Sequence, residues 1–129
     1  MINVVAALIY KDDCVLIAKR ATGDNDVINK WEFPGGKVED GESEKQAIER
    51  EIKEEFDIEI KANRYLVNNV HNYPSKTVNL KLYECKYISG EINLHDHFDY
   101  KWVNLKELLD YDLATADIPL ARYVKKLHK

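Results

Sequence analysis

Three glutamates with helical spacing are the strongest candidates for chemistry in this sequence. Glu51, Glu54 and Glu55 stand at positions i, i+3 and i+4, which places three carboxylates on one helical face with Cβ atoms about 5 to 6 Å apart. Arg50 is adjacent, but it lies about 100° around the helix from Glu51 and cannot serve all three. The pattern is typical either of a solvated acidic helix face or of a site for a hard divalent cation that prefers carboxylate oxygen.

The residues around this segment favour the cation site. Pro34-Gly35-Gly36 lies directly upstream, where glycine lets the backbone approach a ligand closely. Glu42 follows Gly36 by six residues and can reach back over that loop. Ser43 stands three residues before Gln46, a capping-box pattern that predicts a helix start. Apolar residues recur at helical spacing as far as Phe56, so one stripe of the helix faces a core and the acidic face is aimed elsewhere. The stripe consists of Ala47, Ile48, Ile52 and Phe56.

The stretch from Gly36 to Ile58 resembles the Nudix box. Gly36 is followed by five residues, Glu42, seven residues and then Arg50-Glu51-Ile52-Lys53-Glu54-Glu55-Phe56-Asp57-Ile58. All but one of the specified positions of the family pattern match. The departure is Asp57, where the family has a glycine that ends the helix in a left-handed conformation. Because Asp tolerates that conformation better than most residues, we expect a slightly strained helix end.

The run from Lys30 to Lys37 looks like the MutT branch of this family, the nucleoside triphosphate pyrophosphohydrolases that clean nucleotide pools. The likeness covers most of the chain and is weaker after residue 60. It implies an α+β protein, an α/β/α sandwich with a mixed β-sheet (the Nudix fold), formed as a single Nudix hydrolase domain over residues 1–129. The pattern of turns and apolar residues agrees with strands at 2–10, 14–18, 31–33, 58–68, 71–73, 77–88 and 99–103, and with helices at 44–56, 105–109 and 119–127.

The resemblance also implies which residues bind metal. Glu51, Glu54 and Glu55 would hold Mg²⁺, or Mn²⁺ as a substitute, and the Gly35 carbonyl would be a backbone ligand. Arg50 would hold the loop and the neighbouring glutamates in place. A water between metal and carboxylate would be deprotonated and attack a phosphorus in line. In the MutT branch attack falls at the β-phosphorus, giving a nucleoside monophosphate and pyrophosphate.

A further acid lies outside the box in MutT-like proteins, upstream of a late tryptophan. Asp96 stands six residues before Trp102 and occupies that place, with Asp99 as the second choice. Asp96 and Glu51 are both candidate general bases, and Asp96 is also a candidate metal ligand. His95 and His97 flank Asp96, and two histidines at this spacing are more typical of a loop surface than of a zinc site.

Five residues are candidates for binding the substrate. Arg20, Lys37 and Lys76 are at MutT-like positions for holding phosphates. Phe33 precedes the glycine loop and could contact a nucleobase or simply pack in the core. Asp117 lies where the branch places a base-reading residue, commonly Asn; an ionised Asp only accepts hydrogen bonds, which suits an amino group such as cytosine N4. An N–H of an oxidised purine is equally compatible, and the alternative is that Asp117 caps the last helix.

Composition and charge exclude several other classes of protein. The chain has 129 residues, a formal net charge of −4 and 45% hydrophobic residues, so it lacks the basic surplus of a duplex nucleic-acid binder and the low apolar content of a disordered chain. No apolar run approaches the roughly 20 residues needed to span a bilayer, and no signal peptide is recognisable. We expect a cytoplasmic monomer or homodimer with a small nucleotide substrate, and reduced strand cysteines at Cys14 and Cys85.

Three functions are compatible with these features. The first is Mg²⁺-dependent hydrolysis of a nucleoside triphosphate, with 8-oxo-dGTP or a cytidine-type triphosphate as the substrate. The second is Nudix hydrolysis of another diphosphate, such as a nucleotide sugar, a dinucleoside polyphosphate or an RNA 5′ end, although such enzymes often carry extra motifs or domains. The third is a catalytically silent binding module, which the intact Glu51, Glu54 and Glu55 disfavour.

Overall fold

The strands of this chain join into a mixed β-sheet with a helix on each face. In the computed structural model the described residues are 1–23 and 27–127. The helices are α1 (Glu44–Phe56) and α2 (Ile118–Leu127), with 3-10 turns at Leu105–Asp110 and Thr115–Asp117. The strands are β1 (Ile2–Lys11), β2 (Cys14–Arg20), β3 (Trp31–Glu32), β4 (Gly35–Lys37), β5 (Glu59–Tyr73), β6 (Lys76–Ser89) and β7 (His97–Asn104).

The sheet has the strand order β3-β2-β1-β6-β5, with β4 added to β1 and β7 added to β2. Strands β1 and β6 run parallel, with Val4 opposite Leu80, and the other pairs are antiparallel. Two apolar clusters fill the two faces: α1 covers one, and α2 with the first 3-10 turn covers the other. The predicted α/β/α sandwich with a mixed sheet is therefore confirmed.

Helix α1 begins and ends as its sequence predicts. The Ser43 hydroxyl accepts the Gln46 N–H while the Gln46 side chain accepts the Ser43 N–H, so the capping box is formed. Asp57 ends the helix with φ 60° and ψ 23°, the left-handed conformation expected there, and its N–H donates to the Lys53 carbonyl. The predicted apolar stripe is buried. These contacts fix the acidic face of α1 relative to the sheet.

Two strand predictions were wrong in detail. Gly35–Lys37 was predicted as loop but pairs with β1, where Gly35 lies opposite Ala6. A Cβ at Gly35 would overlap the backbone of Val5, so only glycine permits this pairing. The strands predicted at 58–68 and 71–73 form one strand, because Asn69 and Val70 pair with β6 despite the poor strand propensity of Asn.

Three further sequence expectations concern the segment between β2 and β3, the cysteines and membrane-spanning helices. Between β2 and β3, where the sequence lacks periodicity and a loop is expected, residues 24–26 lie outside the described residues. Cys14 and Cys85 are strand residues with free thiols, as predicted. Among the helices of the described residues, none is long and apolar enough to cross a membrane.

Candidate active site

The Arg50 guanidinium binds together the loop and part of the acidic face of α1. Its Nε and Nη2 donate to the two carboxylate oxygens of Glu42, at 3.0 and 2.7 Å. Its Nη1 donates to Glu51 at 3.0 Å and to Glu54 at 3.2 Å, and Nη2 also donates to the Lys37 carbonyl at 3.1 Å. The bidentate bond holds the pKa of Glu42 down at about 2. Arg50 therefore serves two of the three clustered glutamates, not all three.

Glu42 connects this network to the loop before α1. One of its carboxylate oxygens, Oε1, accepts the Glu39 N–H at 2.8 Å as well as the Arg50 bond. The predicted reach of Glu42 back over the loop is thus present as hydrogen bonds. Since the same arginine holds the carbonyl of Lys37 in β4, the loop, β4 and α1 are joined at one point.

Glu55 lies on the side of the cluster that Arg50 does not reach. Its side chain is half-buried, and its Oε2 is buried with no hydrogen-bond partner among the described residues. Burial, followed by the charges of Glu51, Asp96 and Glu32, raises the pKa of Glu55 to about 8. Asp96 is therefore close enough to act electrostatically on this carboxyl.

The donor set of this cluster fits a hard divalent cation. It offers carboxylate oxygens that repel one another and one buried oxygen, Glu55 Oε2, without a partner. Within residues 1–23 and 27–127, no three such side chains have their ligating atoms gathered closely enough to hold an ion. Arg50 occupies Glu51 Oε1 and Glu54 Oε2, so these two carboxylates must reorient to share a cation.

The segment carrying Asp96 is fastened to the end of α1. Asn93 N–H donates to the Phe56 carbonyl at 3.0 Å, and His95 Nε2 lies 3.1 Å from Asp57 Oδ2. The second contact depends on the residue that departs from the Nudix box, because glycine has no side chain to make it. Asp96 itself is exposed in the bend before β7. These contacts hold the backbone around Asp96 beside the acidic cluster.

The alternatives to Asp96 are placed differently. Asp99 is exposed within β7 opposite Lys19, and its Oδ1 accepts the Tyr100 N–H. His95 is exposed, as expected for a loop histidine. The expectation that His97 is also a loop-surface residue was wrong: it is buried in β7 with its Nε2 2.9 Å from Glu32 Oε2. A cluster in which these histidines could hold zinc does not occur among the described residues.

A cavity of about 200 Å³ contains several of the predicted substrate-binding residues. Its polar wall has two cations, Arg20 and Lys76, and two acids, Glu32 and Asp117, while Val4, Val78, Leu80, Ala114 and Ala116 are among its apolar residues. A larger open groove of about 820 Å³ lies between the first 3-10 turn and α2, but no acidic side chain and no predicted site residue lines it.

Asp117 is a buried residue of the cavity wall. Its Oδ2 accepts the Phe33 N–H at 2.9 Å, which fixes the carboxyl against β3 and β4. Burial, and then the charge of Glu32, raise the pKa of Asp117 well above its usual range, while the Phe33 N–H and Arg20 oppose that shift. Two predicted residues are elsewhere: the Phe33 side chain packs in the core, and Lys37 is exposed on β4 and does not line the cavity.

Glu32 is the site residue that the sequence analysis missed. Its carboxylate lines the cavity and acts electrostatically on both Glu55 and Asp117. The sequence Trp31-Glu32-Phe33 could have indicated it. In an extended segment, a polar residue between two buried aromatic residues points to the opposite face from them. Glu32 therefore lies between the acidic cluster and the cavity.

Comparison with known proteins agrees with this geometry. The family model described as NUDIX domain matches residues 4–123. The CTP pyrophosphohydrolase of Escherichia coli K12 is 38% identical over 120 residues, covering 93% of this chain and 88% of that protein. The 8-oxo-dGTP diphosphatase of Buchnera aphidicola subsp. Schizaphis graminum is 27% identical over 125 residues, covering 97% and 94%. The crystal structure of a MutT protein from Methanosarcina mazei Go1 superimposes with a TM-score of 0.87 at 26% identity, covering 99% and 96%.

Proposed function

The chain belongs to the Nudix family, and we propose that it is a Mg²⁺-dependent pyrophosphohydrolase that converts a nucleoside triphosphate to its monophosphate and pyrophosphate. The observation that carries this proposal is the position of Glu32, which lines the cavity and also acts on Glu55 of the acidic helix. A metal-binding cluster directly beside a cavity with cationic and acidic walls suits a ligand with phosphates at one end and a polar ring at the other.

The acidic cluster would hold the cation. Glu51, Glu54, Glu55 and Asp96 supply carboxylates, and the Gly35 carbonyl supplies a backbone oxygen. Bound Mg²⁺ would neutralise charge on the phosphates and make a bound water more acidic. Either Glu51 or Asp96 would accept the proton of the attacking water.

The protein's own cations would position the triphosphate. Arg20 and Lys76 lie in the cavity wall, where both can hold phosphate oxygens, and Lys37 stands on β4 next to the loop that precedes α1. Arg50 is already committed to four carboxylate and carbonyl groups, so it holds the metal-binding loop and does not touch substrate. In this proposal the carboxylates of the cluster bind the metal and activate the water, and the cations of the cavity wall align the phosphates.

The acids of the cavity favour a nucleobase with an amino group. Glu32 and Asp117 are hydrogen-bond acceptors when ionised, and an exocyclic amine such as cytosine N4 is a matching donor. The E. coli relative named for CTP supports a cytidine-type triphosphate as the first choice. The Buchnera relative named for 8-oxo-dGTP makes an oxidised purine the second, since such a base also presents N–H groups.

A panel of nucleoside triphosphates assayed with Mg²⁺, with pyrophosphate and orthophosphate resolved, tests the proposal. We expect pyrophosphate as the direct product, with turnover abolished by EDTA and restored by added Mg²⁺ or Mn²⁺. Nucleotide sugars and dinucleoside polyphosphates belong in the same panel. Direct release of orthophosphate, or faster turnover of a diphosphate derivative than of any triphosphate, would overturn the assignment.

A further inference from the structure

A buried histidine links the cavity to the acidic helix. The His97 side chain is 4% exposed, and its Nε2 lies 2.9 Å from Glu32 Oε2. Its ring stacks on Phe56, the last residue of α1, with ring centroids 5.2 Å apart and an angle of 26° between the planes. Its Nδ1 is buried, and no residue in the described part of the chain makes a hydrogen bond to it. Within residues 1–23 and 27–127, the ring of His97 therefore has one hydrogen-bond partner, Glu32 of the cavity wall.

Packing alone does not account for a histidine at this position. The stacked contact with Phe56 needs only a flat ring, which a phenylalanine would provide without burying an unsatisfied nitrogen. When Glu32 accepts from Nε2, the neutral ring leaves Nδ1 as a bare acceptor in the interior. The group that distinguishes histidine from phenylalanine here is thus the Nε2 donor aimed at Glu32.

Glu32 is held from two sides. His97 contacts Oε2, and the Arg20 guanidinium lies 3.5 Å from Oε1. Arg20 and His97 are partners in the β2–β7 ladder, at a point where the register shifts next to Lys19. The irregular pairing brings both donors to one carboxylate. Glu32 is consequently fixed in the wall that it shares with Asp117.

We propose that His97 is a positioning residue for substrate selection, holding the Glu32 carboxylate where it accepts an N–H from the exocyclic amine of the nucleobase. The inference rests on the proposed function and names the class of base. His97 touches no substrate. It acts through its hydrogen bond to Glu32. Since His97 directly follows Asp96 in the chain, this bond connects the base-selecting carboxylate to the segment that carries Asp96.

A set of variants separates positioning from packing. His97→Phe keeps the ring against Phe56 and removes the donor, whereas His97→Gln keeps an amide donor near the position of Nε2. His97→Asn also has an amide but is too short to reach Glu32, so it replaces His97→Phe if that variant does not fold. Each is combined with Glu32→Gln. His95→Gln is the matched control, since His95 also adjoins Asp96 but contacts Asp57 and not Glu32.

The measured quantity is the ratio of kcat/KM for CTP to that for UTP, which has a carbonyl oxygen in place of the cytosine amine, with the melting temperature of each variant. We expect His97→Phe to lower the ratio by about tenfold, mainly through KM for CTP. His97→Gln should restore most of it, and His95→Gln should leave it unchanged. In the Glu32→Gln background, His97→Phe should have no further effect on the ratio, because the partner of the bond is already altered.

Two results would overturn this role. One is an equal loss of kcat/KM for both nucleotides in His97→Phe with a lower melting temperature, which is the signature of packing. The other is that His97→Phe changes the kcat/KM ratio equally in the wild-type and the Glu32→Gln backgrounds. Binding of CMP and UMP, measured by calorimetry on the same proteins, keeps this test separate from the proposed function. Wild-type protein that binds these products but turns over no triphosphate would refute the proposed function. In that case the ratio of dissociation constants, compared between wild type and His97→Phe, would still decide the role of His97. Wild-type protein that binds neither product would refute both proposals.

Discussion

Gly36 lies directly against the side chain of Glu51. A Cβ at position 36 would overlap the Glu51 carboxylate, and its nearest contacts are all atoms of that side chain. The first residue of the Nudix box therefore makes room for one of the box's own carboxylates. This is a different use of glycine from the approach of a ligand to the loop that the sequence suggested.

The contact predicts that Gly36→Ala displaces Glu51. The substituted methyl group must push the carboxylate away from the cluster, and we expect kcat to fall about a hundredfold, the usual size of losing one group that stabilises transition-state charge. Gly41→Ala is the control, because Gly41 has φ +86° and open space around it. That variant should lose stability through backbone strain and keep its turnover. Equal kcat in Gly36→Ala and wild type would contradict the predicted displacement.

Glu54 is the carboxylate of the cluster whose substitution should least disturb the fold. It is exposed, and it bonds to Arg50, which retains its shorter contacts with Glu42. Glu54→Gln should lower kcat by about a hundredfold or more, since it removes the charge of a proposed metal ligand. The far-UV circular dichroism spectrum and melting temperature should match those of the wild type. Glu59→Gln, an exposed glutamate on β5, provides the comparison; near-normal turnover of Glu54→Gln with Mg²⁺ would show that this residue is not a ligand.

Glu55 makes the stability of the cation-free protein depend on pH. Its pKa is raised to about 8 in the folded state, against about 4.5 for an ordinary Glu. The folded protein therefore binds this proton more tightly than the unfolded chain, so the contribution of Glu55 to stability is fully present below about pH 4.5 and is lost as the pH rises through about 8. In EDTA, Glu55→Gln should remove that loss, because a neutral amide does not ionise.

Melting temperatures measured in EDTA from pH 5 to pH 9 check this expectation. The wild type should lose more stability across the range than Glu55→Gln, and Mg²⁺ should abolish the difference by stabilising the ionised carboxylate. Parallel curves for the two proteins in EDTA would mean that Glu55 ionises normally in the fold. Glu59→Gln, exposed on β5, should follow the wild-type curve.

The local signals in the sequence were sufficient for α1 and the acidic face. Ser43 and Gln46 form the capping box, Asp57 adopts the left-handed conformation, and both results depend on neighbours within a few residues. The fold class followed from the Nudix resemblance together with the alternation of strands and helices. Such features are readable because their physical causes are local in the chain.

The parts that could not be read depend on contacts distant in sequence. Glu32 and Asp117 are 85 positions apart and line the same cavity, where Asp117 bonds to the Phe33 N–H beside Glu32. His97 looks like a loop residue in His95-Asp96-His97, and its burial depends on the end of α1. No sequence periodicity links these segments, so the residues of the cavity wall could be identified only from the folded structure.

Asp117 provides the test of base selection that is independent of His97. Its Oδ2 already accepts the Phe33 N–H, so in Asp117→Asn the amide oxygen can take over that bond and the NH₂ group is left towards the cavity. The substitution keeps the shape of the side chain but puts an NH₂ donor in place of the oxygen that accepts hydrogen bonds when Asp117 is ionised. A donor faces the cytosine amine unfavourably, and one paired contact to a base edge is worth about 1 to 3 kcal/mol.

We therefore expect Asp117→Asn to lower the CTP-to-GTP ratio of kcat/KM by roughly ten- to a hundredfold. Its Mg²⁺ requirement should not change, because Asp117 lies outside the cluster on α1. If Asp117 served only to cap α2, the variant would lose up to about 1 kcal/mol of stability and keep the wild-type ratio. Measuring the melting temperature and both kcat/KM values on the same protein distinguishes these outcomes. A lower melting temperature with an unchanged ratio would exclude Asp117 from base selection and leave Glu32 as the acid that reads the base.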